Sequence, residues 1–247
     1  MSAQLLLLSI LLYVFGAVAA LLLNKAGKIA QYVSGMAAFV AAIAGMASAV
    51  PVLAGGSGFT FETAGVIPFA RFVVQFDALS AFMVGVISLL GAATALYSLS
   101  YLDEYAGRGA GAMGFFSNLF MAAMVVVVTM GNAFYFLIFW ELMTLSSYFL
   151  VTFDQEDKEA ISAGFIYFVM AHAGTALITL SFFVFFFFAR SFDFASFRSA
   201  NLPPLARDLA FLLAFFGFGT KAGIVPLHIW LPRAHSAAPS HISALMS

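Results

Sequence analysis

The 247-residue chain is dominated by apolar side chains: 64% of its residues are hydrophobic, 9% are charged, and 31 are phenylalanine. Soluble domains average roughly 45–50% apolar and about 25% charged residues, so this composition predicts a multi-span membrane protein. Ten basic residues against eleven acidic ones exclude the positive surface that nucleic-acid binding requires. Because cysteine is absent, these residues form no disulfide, thiolate metal site or iron–sulfur site, and redox centres are expected on another chain.

Seven apolar runs are long enough for helices that cross a bilayer core about 30 Å thick, which needs roughly 20 residues per helix. The predicted spans cover residues 4–23, 29–53, 76–99, 113–130, 133–151, 161–189 and 209–231. An eighth helix is expected to begin near His241. This pattern predicts an all-α fold, a polytopic transmembrane helix bundle, with helices 1–3 in residues 1–112 and the later helices in residues 113–247.

The loops between these spans predict the orientation of the chain. Lys25 and Lys28 follow the first helix, and no basic residue precedes it. The positive-inside rule therefore places the N-terminus outside the membrane and this first loop in the cytoplasm. The glycine-rich stretch from Gly55 to Gly65 then lies outside, where its composition predicts a flexible loop that leads into a short β-hairpin.

Glu141 lies near the middle of the fifth predicted helix, where a charge is costly. Insertion scales assign about 2.5–3.5 kcal/mol to a charge at the centre of a span, so such a residue needs a partner, a water-filled cavity or a function. Thr144 and Tyr148 follow at helical spacing on the same face, which predicts a polar stripe turned away from lipid. We interpret Glu141 as a functional carboxylate; a carboxylate that only bonds a neighbouring helix is the alternative.

Lys221 lies near the middle of the seventh predicted helix, within a segment that cannot remain helical. Gly217, Gly219 and Gly223 surround it, and Pro226 cannot donate a backbone hydrogen bond to the preceding turn. The helix is expected to break beside the lysine, and inside a membrane such irregular backbone is tolerated only next to protein or a water-lined cavity. We predict that Lys221 has a function at this depth; a lysine that extends to the membrane interface is the alternative.

Four histidines are further candidates for proton transfer, because histidine accepts and releases a proton near neutral pH. His172 lies midway along the sixth helix, where a neutral histidine bonded to a hydroxyl is the alternative to a proton relay. His228, His235 and His241 lie near the end of the seventh span, and we predict a solvated or proton-conducting loop there rather than a zinc site. The sequence contains no hydrolytic motif, so we predict no catalytic residue.

Two long motifs resemble those of one family of membrane proteins. The first is FWELMTLSSYFLV around Glu141, and the second, about eighty residues later, is GFGTKAGIVPLHIWLPRAHSAAPSHISALMS around Lys221. Both are similar to motifs of the antiporter-like membrane subunits found in respiratory complex I, the Mrp sodium/proton antiporters and the membrane-bound hydrogenases. The stretches PLHIWLPRAH and APSHISALMS favour the hydrogenase-4 and formate hydrogenlyase branch of this family.

This resemblance implies a bundle of about fourteen helices with two inverted five-helix repeats, each forming half of a proton path. Residues 113–247 would be the first repeat, truncated in helix 8, with the remaining helices either missing from the sequence or carried by another chain. The family's glutamate and lysine correspond to Glu141 and Lys221, so the resemblance implies that these two residues take part in proton translocation. Ser247 stands where complex I relatives have a protonatable residue, so a direct relay residue is not expected there.

The function implied by the resemblance is proton translocation by a membrane subunit that couples a redox reaction on partner subunits to ion movement across a bacterial cytoplasmic (inner) membrane. The alternatives are a subunit of an NADH-quinone oxidoreductase, a subunit of an Mrp-type sodium/proton antiporter, and a non-conducting membrane scaffold for a peripheral redox arm. This chain is expected to bind no cofactor. Iron–sulfur clusters and nickel–iron or flavin/quinone chemistry are expected on its partners, and sodium is the alternative to protons.

Overall fold

The computed structural model describes residues 1–67, 70–101 and 109–247, and these residues form ten α-helices and one β-hairpin. The elements in chain order are α1 (Ser2–Leu22), α2 (Lys28–Leu53), β1 (Phe59–Thr63), β2 (Phe72–Phe76), α3 (Ala78–Tyr101), α4 (Ala110–Val127), α5 (Ala133–Val151), α6 (Lys158–Ala189), α7 (Phe194–Ser199), α8 (Pro204–Ala222), α9 (Trp230–Ala237) and α10 (Ser240–Met246). The predicted helical fold and the predicted hairpin are both present.

The first six predicted spans agree with α1 to α6 to within a few residues at each end. By length and composition these are the six helices in the described ranges that can cross a membrane, and the chain is a multi-pass membrane protein. The seventh predicted span does not form one helix. Residues 209–231 are divided among α8, an irregular segment and α9, so length and composition alone do not establish a seventh crossing.

Side-chain caps begin α5 and α6. The Asn132 carboxamide oxygen accepts hydrogen bonds from the backbone N–H groups of Phe134 (3.0 Å) and Tyr135 (3.4 Å). The Asp157 carboxylate accepts a hydrogen bond from the backbone N–H of Glu159 (2.8 Å). Such caps satisfy donors that the first turn of a helix leaves unpaired, and they fix where the two helices that carry the site begin.

The first four helices pack closely because small residues lie between them. α1 packs on α2 and α4, and α2 also packs on α3. At Gly45 of α2, an added Cβ would lie 2.4 Å from the Ser88 hydroxyl of α3 and 3.1 Å from the Ser9 hydroxyl of α1. A larger residue at this position would therefore separate three helices, which is the packing role that small residues have in membrane bundles.

The later helices form a second group in which an aromatic cluster holds α8 against α5 and α6. The Phe136 ring of α5 lies edge-on to Phe182 of α6 and Phe218 of α8, with centroids 5.8 and 6.2 Å apart. Phe218 also lies edge-on to Trp140, at 5.6 Å. Edge-to-face pairs of this kind stabilise by about 0.5–1.5 kcal/mol beyond the area they bury. The cluster therefore fixes the position of α8 at Phe218, about one helical turn before Lys221.

The hairpin extends into a wider layer at one end of the bundle. β1 and β2 pair antiparallel, and β2 also bonds the connection between α4 and α5. The Gln75 N–H donates to the Thr129 carbonyl, and the Gly131 N–H donates to the Val73 carbonyl, both at 2.8 Å. These bonds attach the hairpin to the start of α5, which a sequence pattern does not predict.

A second connection joins the same layer. The Ala133 N–H donates to the Phe192 carbonyl at 2.7 Å, and the Phe194 N–H donates to the Gly131 carbonyl at 2.9 Å, so the α6–α7 connection pairs with the α4–α5 connection. We call this arrangement the hairpin layer; it comprises β1, β2, residues 128–132 and residues 190–193.

Asp193 is the charged centre of the hairpin layer and is 5% exposed. One carboxylate oxygen accepts hydrogen bonds from the Arg71 guanidinium, and the other accepts one from the Asn132 carboxamide at 2.7 Å. Arg71 also donates to Glu62 on β1 at 3.1 Å. The hydrogen bonds and the charge of Asp193 raise the pKa of Arg71 above its usual value. The segments that carry Arg71, Asn132 and Asp193 therefore meet at one carboxylate, and this carboxylate fixes their relative positions.

Candidate functional site

The helix that carries Lys221 ends one residue after it. Gly223 adopts the left-handed conformation, with φ of 76°, and its N–H donates to the Thr220 carbonyl at 3.3 Å. The next N–H, of Ile224, donates to the Gly219 carbonyl at 2.9 Å. This pair of bonds is a glycine-based helix cap. The helix therefore stops at Gly223, and Pro226 lies in the irregular segment that follows.

Trp230, the first residue of α9, completes the cap at the C-terminal end of α8. The Trp230 indole N–H donates to the Thr220 carbonyl at 2.7 Å, and Trp230 is 4% exposed. The bond satisfies one of the carbonyls that the end of a helix leaves without an intrahelical donor. The remaining partial negative charge of the helix terminus favours a cation in the last turn, where Lys221 lies.

Neutral oxygen atoms and aromatic rings surround the Lys221 ammonium. Its Nζ donates to the Thr144 hydroxyl of α5 at 3.1 Å and to the Tyr167 hydroxyl of α6 at 2.8 Å. The same atom lies 5.1 Å from the centroid of the Tyr167 ring and 5.7 Å from that of Trp140. Hydrogen bonds and cation–π attraction together offset part of the cost of removing the charge from water.

The Tyr167 hydroxyl links Lys221 to a second hydroxyl. It lies 2.6 Å from Ser147 Oγ, and Ser147 Oγ also donates to the backbone carbonyls of Met143 (3.0 Å) and Thr144 (2.9 Å). Either hydroxyl can be the donor in the Ser147–Tyr167 bond; when the single Ser147 hydrogen is donated to a backbone carbonyl, Tyr167 donates to Ser147 while it accepts from Lys221. Lys221, Tyr167 and Ser147 are therefore linked by consecutive hydrogen bonds.

Glu141 contacts His172 instead of Lys221. Glu141 Oε2 lies 3.1 Å from His172 Nε2, and His172 Nδ1 lies 2.9 Å from the Phe168 backbone carbonyl. Both residues belong to the described part of the chain, and no direct ion pair joins Glu141 to Lys221 there.

Helix geometry explains the separation of the two charged groups. Thr144, which bonds Lys221, follows Glu141 by three residues, and this spacing is a rise of about 4.5 Å along α5. α5 and α6 run in opposite directions, so Glu141 meets His172 while Ser147, farther along α5, meets Tyr167. The polar residues of α5 therefore contact two different partners. Glu141 contacts His172, and Thr144, three residues farther along the helix, contacts Lys221.

The remaining predicted residues take different positions. Tyr148 lies against Phe168, with ring centroids 5.2 Å apart. His235 Nδ1 lies 2.9 Å from Ser243 Oγ of α10, and burial lowers the pKa of His235. His228 is half-buried between α8 and α9. His241 lines a cavity of about 50 Å³ that residues of α2, α3 and α4 also line.

These three histidines do not form a metal site with other described residues. The described ranges contain no group of three or more histidine, cysteine, aspartate or glutamate side chains that could hold a metal ion. A role for His228, His235 and His241 in proton conduction stays a prediction.

Sequence reasoning missed Tyr167, Ser147 and Trp140. Tyr167 is 2% exposed, yet an aromatic residue in an apolar helix is indistinguishable by composition from an ordinary packing residue. The one available signal was spacing: Thr144 and Ser147 lie three residues apart on α5 and are therefore neighbours on one face of that helix.

Residues 130–247 match the family described as NADH:quinone oxidoreductase/Mrp antiporter, TM. The matched part contains the Glu141–His172 contact and the helix break beside Lys221. This chain belongs to that family of antiporter-like membrane subunits, as the two sequence motifs predicted.

Two proteins of Escherichia coli are similar to nearly the whole chain. Hydrogenase-4 component B of Escherichia coli is 49% identical over 244 residues, which are 99% of this chain and 36% of the relative. Formate hydrogenlyase subunit 3 of Escherichia coli is 29% identical over 237 residues, which are 95% of this chain and 36% of the relative. The chain thus spans about a third of the length of these relatives.

A solved structure shares the fold. It is that of the membrane-bound sulfane sulfur reductase, an archaeal respiratory membrane complex. The TM-score is 0.85 at 19% sequence identity, and the match covers 97% of this chain and 49% of that chain. The likeness supports the arrangement of helices described above.

Proposed function

We propose that this chain is the proton-translocating part of an antiporter-like subunit that couples a redox reaction on partner subunits to ion movement across a membrane. A complex of the hydrogenase-4 or formate hydrogenlyase type is the assembly we favour, since relatives with those names match nearly the whole chain. The observation that carries the proposal is the Lys221 ammonium, which lies at the end of a broken helix between the hydroxyls of two other helices.

The surroundings of Lys221 suit a group that both takes up and releases a proton. An adjacent carboxylate would favour the charged ammonium strongly, whereas neutral hydroxyls favour it less. After the proton has left, the neutral amine can accept a hydrogen from Thr144 or Tyr167, because each hydroxyl can turn from acceptor to donor. Lys221 therefore keeps hydrogen-bond partners in both protonation states.

The Tyr167–Ser147 pair holds the Tyr167 hydroxyl in place beside Lys221. Ser147 is itself bonded to the backbone carbonyls of Met143 and Thr144, so the pair positions an oxygen for the Lys221 proton and does not carry that proton beyond Ser147. Conformational or charge changes in a neighbouring subunit would bias the loading of Lys221 by favouring one of its protonation states. Glu141 tunes this balance as the nearest carboxylate on α5.

The location of the complex and its other parts belong to the same proposal. We place the chain in the bacterial cytoplasmic membrane with its N-terminus and hairpin layer outside, on the evidence of Lys25 and Lys28. Partner membrane and peripheral subunits would carry the redox centres, as iron–sulfur clusters with nickel–iron or flavin/quinone chemistry. This chain would contribute the ion path.

The test replaces Lys221 in the full complex. Lys221→Met keeps approximate length while it removes the charge and the exchangeable protons, so redox turnover should continue while coupled proton movement is mostly lost. Lys221→Arg should fail as well, because guanidinium hardly releases its proton. Lys25→Met is the matched control, since Lys25 is exposed and lies in the loop after α1.

The readout is proton translocation for each redox turnover, in membranes with equal complex content. Undiminished coupling in Lys221→Met would refute the proposal. A non-conducting scaffold predicts a different pattern, in which Lys221→Arg behaves as the wild type and Lys221→Met is defective in assembly.

A further inference from the structure

The two ring nitrogens of His172 both face hydrogen-bond acceptors. Nδ1 lies 2.9 Å from the Phe168 backbone carbonyl, and Nε2 lies 3.1 Å from Glu141 Oε2. A carbonyl oxygen can only accept, so Nδ1 carries a hydrogen. A neutral imidazole has a single N–H, so Nε2 would then present a lone pair to the Glu141 carboxylate. One further proton has to lie between the two residues for the contact to be attractive.

We propose that Glu141 and His172 form a second proton-binding site, separate from Lys221, whose single proton decides whether Glu141 is available as a counter-ion for Lys221. This inference rests on the proposed function, because it assigns a regulator to the same ion path. We call the two residues the dyad. With its proton, the dyad is an imidazolium–carboxylate pair or a neutral imidazole with a carboxylic acid, and its net charge is zero in both arrangements.

Loss of the proton changes the dyad in a defined way. The hydrogen between Nε2 and Oε2 leaves as a proton to water, and no other bond forms or breaks. Glu141 is then a carboxylate and His172 a neutral imidazole that keeps its Nδ1–H. The lone pairs of His172 Nε2 and Glu141 Oε2 then face and repel one another. The contact therefore no longer holds the Glu141 carboxylate at His172.

An independent observation indicates where the freed carboxylate can bond. Glu141 Oε1 is buried and has no hydrogen-bond partner among the described residues. The Lys221 ammonium has three hydrogens and donates two hydrogen bonds, to Thr144 and Tyr167. The spare acceptor belongs to a residue three positions before Thr144 on α5, about 4.5 Å of helix rise, and Thr144 is the residue that bonds the Lys221 ammonium. Under this proposal a rotation of the Glu141 side chain, or one bridging water, joins the spare acceptor to the spare donor.

The other titratable groups around the dyad are few. Lys221 lies on α8, Tyr167 lies on α6 and Tyr148 lies on α5, against the Phe168 ring whose centroid is 4.0 Å from that of His172. α9 packs on α5 and α6 and carries Arg233 and His235, and α10 packs on α5 and carries His241. Of these groups, Glu141 is the closest along α5 to Thr144, which bonds Lys221, so we assign to the dyad proton the control of the charge next to Lys221.

Under this proposal, the dyad and Lys221 lose and regain their protons in a defined order. While the dyad holds its proton, Lys221 has only hydroxyl partners and releases its own proton readily. When the dyad loses its proton, the negative charge of Glu141 turns toward Lys221 and favours the loaded ammonium. The two sites are then loaded in alternation, which prevents both protons from leaving in the same step.

Nuclear magnetic resonance of the complex with labelled histidine and glutamate tests the dyad directly. The expected result is a His172 Nδ1 that stays protonated across the pH range, with Nε2 and the Glu141 carboxyl group titrating together as one proton. Glu141→Gln should abolish this joint step, and Glu159→Gln, at an exposed position at the start of α6, should leave it intact. A His172 with an unprotonated Nδ1, or two residues that bind protons independently, would overturn the inference.

A transport measurement separates this inference from the proposed function. His172→Gln keeps a donor toward Glu141 but cannot take up a proton, so coupled proton movement should lose its pH dependence in the range where the dyad titrates, while redox turnover continues. If Lys221→Met abolishes translocation but His172→Gln leaves both the coupling and its pH profile unchanged, the dyad has no regulatory role and the proposed function stands. If Lys221→Met is fully coupled, the proposed function fails, and the regulatory inference fails with it.

Discussion

Removal of one hydroxyl tests how Lys221 holds its proton. Tyr167→Phe deletes the acceptor that lies 2.8 Å from the ammonium but keeps the ring, whose centroid is 5.1 Å from the same atom and 5.0 Å from that of Trp230. The cation–π contact and the packing of the helices should therefore survive. The variant isolates the contribution of a single hydrogen bond to the charged state of Lys221.

The size of the effect follows from the type of bond. A hydrogen bond to a charged group contributes about 1.5–3 kcal/mol, and about 1.36 kcal/mol corresponds to one pH unit. Loss of the acceptor disfavours the ammonium, so the proton leaves more readily. The pH at which proton translocation is half-maximal should move down by about one to two units, while the complex assembles as the wild type does.

The assay compares proton translocation with redox turnover across a pH series, at equal complex content. Tyr148→Phe is the control, because the Tyr148 hydroxyl makes no hydrogen bond to a described residue and the Tyr148 ring packs on Phe168. An unchanged pH profile in Tyr167→Phe would refute the reasoning that the hydroxyl stabilises the loaded lysine. A profile that moves toward higher pH would show that Tyr167 favours the neutral amine.

Three further predictions concern stability and topology. Asp193→Ala should lower the thermal stability of the complex in detergent, by about 1–3 kcal/mol, because it leaves the buried Asn132 carboxamide without its acceptor and removes one of the two carboxylate partners of Arg71. Trp230→Phe should destabilise the break after α8 by about 0.5–1.5 kcal/mol, since the Thr220 carbonyl loses the shorter of its two hydrogen bonds, and should reduce coupling more than turnover. Single cysteines at Ser57 and Gln155 should react with an impermeant thiol reagent from opposite sides of the membrane.

Each of these has a result that would contradict it. An unaltered melting temperature for the aspartate variant would mean that the hairpin layer does not limit stability. Equal loss of coupling and turnover for the tryptophan variant would assign that side chain to assembly alone. Labelling of both cysteines from one side would show that the helices between them cross the membrane an even number of times.

The helices and the break could be read from the sequence because their causes are local. Runs of apolar residues define α1 to α6, and a glycine three residues before a proline ends α8 next to Lys221. In each case the physical reason lies within a few residues of the feature.

The pairing of charges could not be read in the same way. Whether Glu141 meets Lys221 or His172 depends on the relative shift of three helices along their axes, and helical periodicity says which face a residue occupies but not which level it meets. The contacts of Asp193 with Arg71 and Asn132 pose the same difficulty, since 122 and 61 residues separate the partners. Such contacts depend on tertiary packing, which periodicity does not encode.

The hairpin layer gives the bundle a mechanical asymmetry. It fastens the start of α5 and the end of α6 at one point, so a relative tilt of the helices pivots there and its amplitude grows with distance. α8 packs along α6, and Lys221 lies seventeen residues after the first residue of α8, about 25 Å along the axis at 1.5 Å per residue. A tilt of roughly 5° about the start of α8 would displace the backbone at Lys221 by about 2 Å. A displacement of that size would break the 2.8 Å hydrogen bond to Tyr167, so a small change of angle at the far end of α8 would release the lysine from this partner.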